Sequence, residues 1–397
     1  MNAEPATPAR RERVVVAMSG GVDSAAAAAL LCRDGYDAVG VLPRVWPSGR
    51  PAGVNERFDS CCSPRAADDA RAVAAALGIP FYTLNYEAEF DREVIRPFCD
   101  AYAAGRTPVP CLSCNARLKF GSLLDRARGW GADVVATGHY ARVGRQPRTG
   151  RFLLRRGADP RKDQSYFLYG LTQDQLARAR FPVGGQTKAE TRRLAAALGL
   201  PVADKPESQE ICFVPRDYRE VVRERVGGAL RPGPIRHLDG RVLGSHAGLA
   251  DFTVGQRKGL GLSVGRPLYV VGLEAATNTV VVGGDGDLWA REAILERCNY
   301  IATPEPQRPL RVRAKVRYAQ PEADATLTPL GDGRASLRFD APQRAMAPGQ
   351  AAVWYDSDDP DLVLGGGTIG GVRAEGPAGR PGALSCEVVP GDGAGAT

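Results

Sequence analysis

Apolar residues in the first half of the chain gather in short unbroken runs, separated by longer stretches of helical spacing. Val14–Met18 is a continuous apolar run, which suits a strand buried on both faces. Ser24–Arg33 is Ala-rich and suits a helix. Ala38–Leu42 is again strand-like. Pro64–Leu77 has helical spacing, closed by Gly78 and Pro80. Phe81–Leu84 predicts a strand, Glu89–Tyr102 and Leu118–Trp130 predict helices, and Asp133–Thr137 predicts another buried strand. Strand and helix alternating at this spacing predict a parallel, doubly wound α/β sheet. Such a sheet takes its ligand at the carboxyl ends of its strands.

Past about residue 215 the texture changes. Helical spacing fades after Val226, Gly and Pro become frequent, and short β-branched runs appear at Leu268–Val271, Thr279–Val282, Leu310–Val316, Ala335–Phe339 and Ala351–Tyr355. The expected division is a polar tail over 1–12, an α/β domain over 13–214, and β-rich domains over 215–288 and 289–370. Residues 371–397 are rich in Gly, Pro and Ala and are expected to be a disordered tail.

Composition narrows the class. A chain of 397 residues with 44% apolar content suits two or three globular domains. No run approaches the length of a membrane span, and no apolar block follows the Arg-containing first 13 residues, so a cytoplasmic protein is expected. With 52 Lys+Arg against 45 Asp+Glu, the balance of +7 weakly favours a polyanionic partner. Nine Cys is an odd number, which argues against a disulfide framework and for reduced thiols with a chemical role.

Ser19-Gly20-Gly21-Val22-Asp23-Ser24 follows the first strand and opens a helix. Two glycines let the backbone approach an anion, and the helix N-terminus points N–H groups and its positive dipole end at it. Asp23 would repel a phosphate unless a divalent cation lies between them, so phosphate with Mg2+ is the natural ligand. Neither the Walker loop nor the dinucleotide loop is present.

Cys111 and Cys114 form a C-x-x-C in a loop after Pro108 and Pro110, and Cys212 stands nearly a hundred residues on. Buried structural thiols, a zinc site and sulfur chemistry all remain open; zinc lacks its usual fourth ligand. Cys61 and Cys62 are adjacent, so their side chains diverge and a non-catalytic role is expected. Cys32, Cys99, Cys298, Cys386, His237 and His246 receive no role. Arg311, Arg313, Lys315 and Arg317 alternate along one predicted strand, which puts them on one face as either a solvated stripe or a phosphate-facing one.

The glycine loop resembles the PP-loop of the N-type ATP pyrophosphatases, which break the α–β bond of ATP and adenylate a substrate. The wider chain, from about Val14 to Gly370, resembles the bacterial tRNA-uridine 2-sulfurtransferases. The resemblance rests on Met18–Ser24, Gly105–Pro108, Cys114-Asn115, Ala136–Tyr140, Lys162–Phe167, Ile211–Phe213, Gly255–Gly261 and Pro348–Gln350. It implies a catalytic PP-loop domain, a small central domain and a C-terminal β-barrel, the last two holding tRNA. It implies ATP and Mg2+ as cofactors, a sulfur donor protein or sulfide, and neither DNA nor membrane as partner. The implied reaction is 2-thiolation of the wobble uridine, U34. A PP-loop enzyme thiolating another tRNA base, a PP-loop amide-forming ligase and a non-catalytic RNA-binding module are the alternatives.

Residue by residue, the resemblance assigns Ala17, Met18, Ser19, Gly20, Gly21, Val22, Asp23, Ser24 and Gly138 to ATP, with Asp23 reaching Mg2+ through the nucleotide. Cys114 matches the nucleophile and Cys212 the persulfide carrier. Val109 and Pro110 would lie beside the target base with Cys111, and His139, Lys162, Asp163, Gln164, Arg317, Tyr318 and Gln350 would touch tRNA. Many family members carry Asp where this chain has Cys111. The subgroup with C-x-x-C there implies that Cys111, Cys114 and Cys212 hold a [4Fe–4S] cluster, in preference to a relay of persulfides. A family Met near the adenine aligns with Pro43, which is assigned no role.

Overall fold

The computed structural model describes residues 12–45, 64–207, 211–214 and 217–373. The chain divides into two compact units, Met1–Glu93 with Cys111–Pro215, and Val94–Pro110 with Arg216–Thr397. Cys61, Cys62 and Cys386 lie outside the described residues.

The first unit is built on strands β1 (Arg13–Ala17), β2 (Asp37–Arg44), β3 (Phe81–Asn85), β4 (Val134–Ala136) and β7 (Ala179–Arg180), in the order β3-β2-β1-β4-β7 and all parallel. The doubly wound sheet expected from the alternation is therefore present. The helix Val22–Arg33 is buried nearly all round, from Ala25 to Leu31 without a break. That burial explains its alanines. Ala25, Ala28 and Ala29 pack on Val14, Val16 and Met18, while Ala26, Ala27 and Leu30 face Tyr140 and Val183.

Two expected helices are interrupted. The first runs as Glu87–Phe90, a π-turn at Asp91–Ile95, then Arg96–Ala103. The second begins earlier than its apolar spacing suggests. A turn at Pro110–Ser113 leads into a π-helical stretch, Cys114–Ser122, before Leu123–Arg128. Wide helical turns of this kind often mark functional positions. An antiparallel hairpin, β5 (Ala141–Arg145) with β6 (Phe152–Arg156), follows β4.

The second unit carries the helix Tyr218–Val226 and two β-structures. A four-stranded sheet has the order β10 (Tyr269–Glu274), β11 (Thr279–Gly283), β8 (Gly233–His237), β9 (Val242–His246). A closed six-stranded barrel follows: β12 (Trp289–Tyr300), β15 (Arg334–Arg344), β14 (Ala323–Gly331), β13 (Leu310–Lys315), β16 (Ala351–Tyr355) and β17 (Leu362–Arg373), with β17 pairing back onto β12. Trp354, Phe339 and Leu337 are among its fully buried side chains. Strand β17 runs into the expected tail: Gly371–Arg373 are paired with Glu292–Ile294, and the rest of that tail, 374–397, lies outside the described residues.

Candidate active site

Strand β1 delivers the chain to the carboxyl edge of the sheet, where Met18 N–H still donates to Val41 O at 2.8 Å. The backbone then turns at Gly20, whose φ is +66°, and a Cβ there would stand 2.3 Å from Ala66 O. Ser24 Oγ donates back to Gly21 O at 3.0 Å and accepts from Ser19 N–H at 3.2 Å. No side chain caps the helix at Gly21. The first helical N–H groups therefore face out of a closed loop, with the positive end of the helix dipole behind them. A helix N-terminus left open in this way is suited to receiving an anion.

Strand β4 runs beside β1, with Val16 opposite Ala136, so its following loop arrives next to the first. Gly138 is the point of contact. A Cβ at Gly138 would lie 2.6 Å from both Asp23 C and Ser24 N. Glycine is needed there to let the second loop support the first. His139 Nδ1 is 2.7 Å from Thr137 Oγ1, and its ring meets Phe181 edge-on. Burial, reinforced by the Lys119 ammonium, holds the imidazole well below its ordinary range, so it is neutral.

Asp23 is the centre of a cluster that its position in the motif did not disclose. Lys188 Nζ reaches both carboxylate oxygens, at 2.7 and 2.9 Å. Tyr140 donates to Asp23 Oδ1 at 2.8 Å and lies 3.0 Å from Thr191 Oγ1. Lys188 also pairs with Glu207 at 2.8 Å, and Glu207 with Lys162 at 2.6 Å. Burial alone would raise the Glu207 carboxyl, but hydrogen bonds from Lys162 and Lys188 outweigh it and hold it below the usual range. Burial, then the Asp23 charge, raise the Tyr140 hydroxyl, which keeps it a donor. Lys188 opens the helix Lys188–Ala197 behind a Thr187/Glu190 capping box. That cap is legible in the sequence, but nothing in it points across 165 residues to Asp23. The oxygen donors of Asp23, Ser19 and Ser24 are hard ligands of the type Mg2+ takes alongside phosphates.

Cys111 is exposed, and Cys114 and Cys212 are half-buried. Asn115, next to Cys114, is buried; it donates to Phe167 O at 2.9 Å and accepts from Lys119 at 3.0 Å. Among the described residues no three His, Cys, Asp or Glu side chains converge on a metal position. As they stand, Cys111, Cys114 and Cys212 do not form a ligand set that fits an iron–sulfur cluster.

The residues expected at RNA are placed unevenly. Gln164 pairs with the Tyr140 backbone through its own N–H and its side chain, beside His139. Asp163 is buried, and its carboxylate accepts from Gly157 N–H, Ser165 N–H and Ser165 Oγ. It shapes its own loop. Within the second unit, Arg317 donates to Val254 O at 3.1 Å and Ala345 O at 2.8 Å, and Gln350 to Thr107 O at 3.0 Å. Val109 is half-buried and Pro110 buried, while Tyr318 is exposed. Gln256 and Lys258 of the glycine-rich basic loop line a groove of about 790 Å³ with Tyr218, Arg219 and Arg317. The alternating cations of β13 differ in surroundings: Arg311 is bound to Asp340 through two nitrogens at 2.7 and 2.9 Å, and Lys315 is buried. They are not a continuous phosphate-facing stripe.

A parallel sheet with a glycine loop opening a helix at its carboxyl edge, backed by a second loop from the neighbouring strand, defines the first unit as a PP-loop-like α/β domain. Residues 12–216 match the family described as "tRNA methyl transferase HUP domain", residues 219–284 the "tRNA methyl transferase PRC-barrel domain", and residues 290–369 the "Aminomethyltransferase beta-barrel domain". Proteins named tRNA-specific 2-thiouridylase MnmA are similar along nearly their full length. That of Moorella thermoacetica is 52% identical over 89% of this chain and 98% of its own. That of Symbiobacterium thermophilum is 48% identical over 90% of this chain and 92% of its own, and that of Geotalea uraniireducens 50% over 91% and 95%. The chain belongs to the tRNA-specific 2-thiouridylase family.

Proposed function

We propose that this chain is an ATP-dependent tRNA-uridine 2-sulfurtransferase acting on the wobble uridine, U34. The reading is carried by one conjunction: an anion seat and the two partly accessible thiols, Cys114 and Cys212, belong to the same compact unit. Its relatives' names supply the substrate class.

ATP occupies the Ser19–Ser24 loop with its phosphates on the helix N-terminus. The uridine leaves its stack so that its C2 carbonyl is reachable. O2 attacks the α-phosphorus, the bond to the bridging oxygen breaks, and pyrophosphate leaves with that electron pair. Mg2+, held at Asp23, neutralises phosphate charge when bound. The adenylated oxygen is now a good leaving group. The terminal sulfur of a Cys212 persulfide attacks C2, and AMP departs with O2. Cys114 thiolate then attacks Cys212 Sγ, the persulfide S–S bond breaks, and its electron pair stays on the sulfur at C2. A Cys114–Cys212 disulfide results, and a thiol reductant and a persulfide donor reset the pair. The persulfide route is preferred here to the cluster because the three cysteines do not form a ligand set. Reduced thiols of this kind suit the reducing cytoplasm.

The test is reaction with tRNA, ATP and a persulfide donor, followed by mass spectrometry of the nucleosides. 2-Thiouridine is the expected product, and Cys114→Ser or Cys212→Ser abolishes it. A thiolated cytidine, or product formation indifferent to both cysteines, points instead to the other-base or ligase reading.

A further inference from the structure

We infer that Asn115 is a positioning residue for sulfur transfer, its buried amide pinning the Cys114 turn to the 162–167 loop, and that Lys119 sets the direction of that amide. The inference rests on the reading of Cys114 as the thiol that resolves the persulfide.

Asn115 follows the thiol directly and is 2% exposed. Its Nδ2 donates to Phe167 O at 2.9 Å, and its Oδ1 accepts from Lys119 Nζ at 3.0 Å. A carbonyl only accepts and an ammonium only donates, so one orientation of the amide satisfies both. Lys119 stands four residues on, where side chains of one helical face meet. Asp at 115 would set a carboxylate oxygen against Phe167 O in a buried place. A position that only filled the core would be apolar, since a buried amide costs stability unless both its ends are bonded.

The loop at the far end of the pin is braced without Asn115. Asp163 accepts from Gly157 N–H at 3.2 Å and Ser165 N–H at 3.0 Å, and Gln164 N–H donates to Tyr140 O at 2.9 Å. The cysteine turn is the softer side. It leads into the π-helical stretch Cys114–Ser122, a wider coil than an α-helix. A second amide holds that stretch from the same direction: Gln175 Nε2 donates to Ala116 O at 2.7 Å, while its Oε1 accepts from Thr172 N–H at 3.0 Å. Gln175 keeps the stretch in place when Asn115 is changed, so what is lost is the setting of Cys114 against the 162–167 loop. That loop carries Lys162 and Gln164, through which the resemblance brings tRNA to this unit. A thiol fixed to the loop that holds the RNA meets the persulfide at the reacting base, where a misplacement of about 1 Å can cost about 100-fold.

The test is single-turnover reaction of the full, persulfide-loaded chain with tRNA and ATP, without added reductant. Asn115→Asp should slow both the release of 2-thiouridine and the formation of the Cys114–Cys212 disulfide by at least about tenfold. Pyrophosphate release, AMP release and tRNA affinity should stay within about threefold of wild type, because they precede the step that Cys114 performs. The tRNA should accumulate joined to Cys212 through a disulfide, visible on a non-reducing gel and dispersed by a thiol reductant. Lys119→Met, which leaves the buried residue in place, should show the same lag. Lys119→Arg, which can still donate to Asn115 Oδ1, should recover the rate lost in Lys119→Met. Thiolation within about threefold of wild type in Asn115→Asp overturns the positioning role, as does pyrophosphate release that falls in step with thiolation in Lys119→Met. So does a lag with no tRNA–Cys212 adduct. If wild type itself forms no 2-thiouridine, the reading of Cys114 and Cys212 fails; if wild type turns over and the variants match it, only the role of Asn115 and Lys119 fails.

Discussion

The side-chain amide of Gln350 donates to the carbonyl of Thr107 at 3.0 Å, and Thr107 N–H donates to Pro348 O at 2.8 Å. Two hydrogen bonds thus fasten the segment that precedes the cysteine turn to the loop before β16. The resemblance assigned Gln350 to tRNA; in the free protein its amide is engaged by this backbone. Gly349 lies between the two bonds with φ at +92°, and a Cβ on it would stand 2.8 Å from Thr107 N.

Two substitutions there should separate in size. Gln350→Ala removes one hydrogen bond and should cost about 1 kcal/mol. Gly349→Ala forces a left-handed backbone on a residue with a Cβ and meets Thr107, and should cost about 1–3 kcal/mol. Urea unfolding of the full chain ranks them, and equal or inverted costs contradict this packing.

Gly138→Ala should damage ATP binding without contact to ATP. Its Cβ would press on the backbone of Asp23 and Ser24 and displace the loop. A misplacement of about 1 Å can cost about 100-fold in rate. Stopped-flow measurement of adenylation should show a loss of that order, and wild-type kinetics would mean that the two loops do not lean on each other.

Cysteine replacements should sort by environment. Cys298→Ser should leave activity intact, since burial and the Glu305 charge push its thiol up to about 12 and keep it protonated. Cys111→Ser should retain activity on the persulfide route, and complete loss would favour the cluster. Product analysis by mass spectrometry decides both.

His139 should leave a mark on stability below neutral pH. Its imidazole is neutral in the folded protein and titrates near its ordinary 6.5 when unfolded. The unfolded state therefore binds the extra proton first. Stability from this group is complete above 6.5 and falls as pH drops below it, by up to about 1.4 kcal/mol per unit. His139→Gln should flatten that slope in urea titrations, and an unchanged slope refutes the assignment.

Much of the first unit was legible because its central strands β1, β2 and β4 are buried and read as unbroken apolar runs, Val14–Met18 above all. The hairpin β5–β6 was not, because its strands are short and Arg-rich and carry no clear alternation. The π-helical turns at Asp91 and Cys114 leave no mark in a 3.6-residue pattern. Motif spacing pointed to the Ser19–Ser24 loop but not to Lys188, Tyr140 or Glu207, which only tertiary folding brings to Asp23. The alternation of Arg311, Arg313 and Lys315 was read correctly as a strand. Which of its two readings applies was not legible, because the partner Asp340 lies on another strand.

The most direct test of the central claim is nucleoside mass spectrometry after single-turnover reaction of iron-stripped, persulfide-loaded enzyme with tRNA and ATP. The account predicts one 2-thiouridine per enzyme at position 34, one AMP, one pyrophosphate and a Cys114–Cys212 disulfide. Unmodified tRNA with full persulfide loading, or thiolation that appears only after iron is restored, would contradict it.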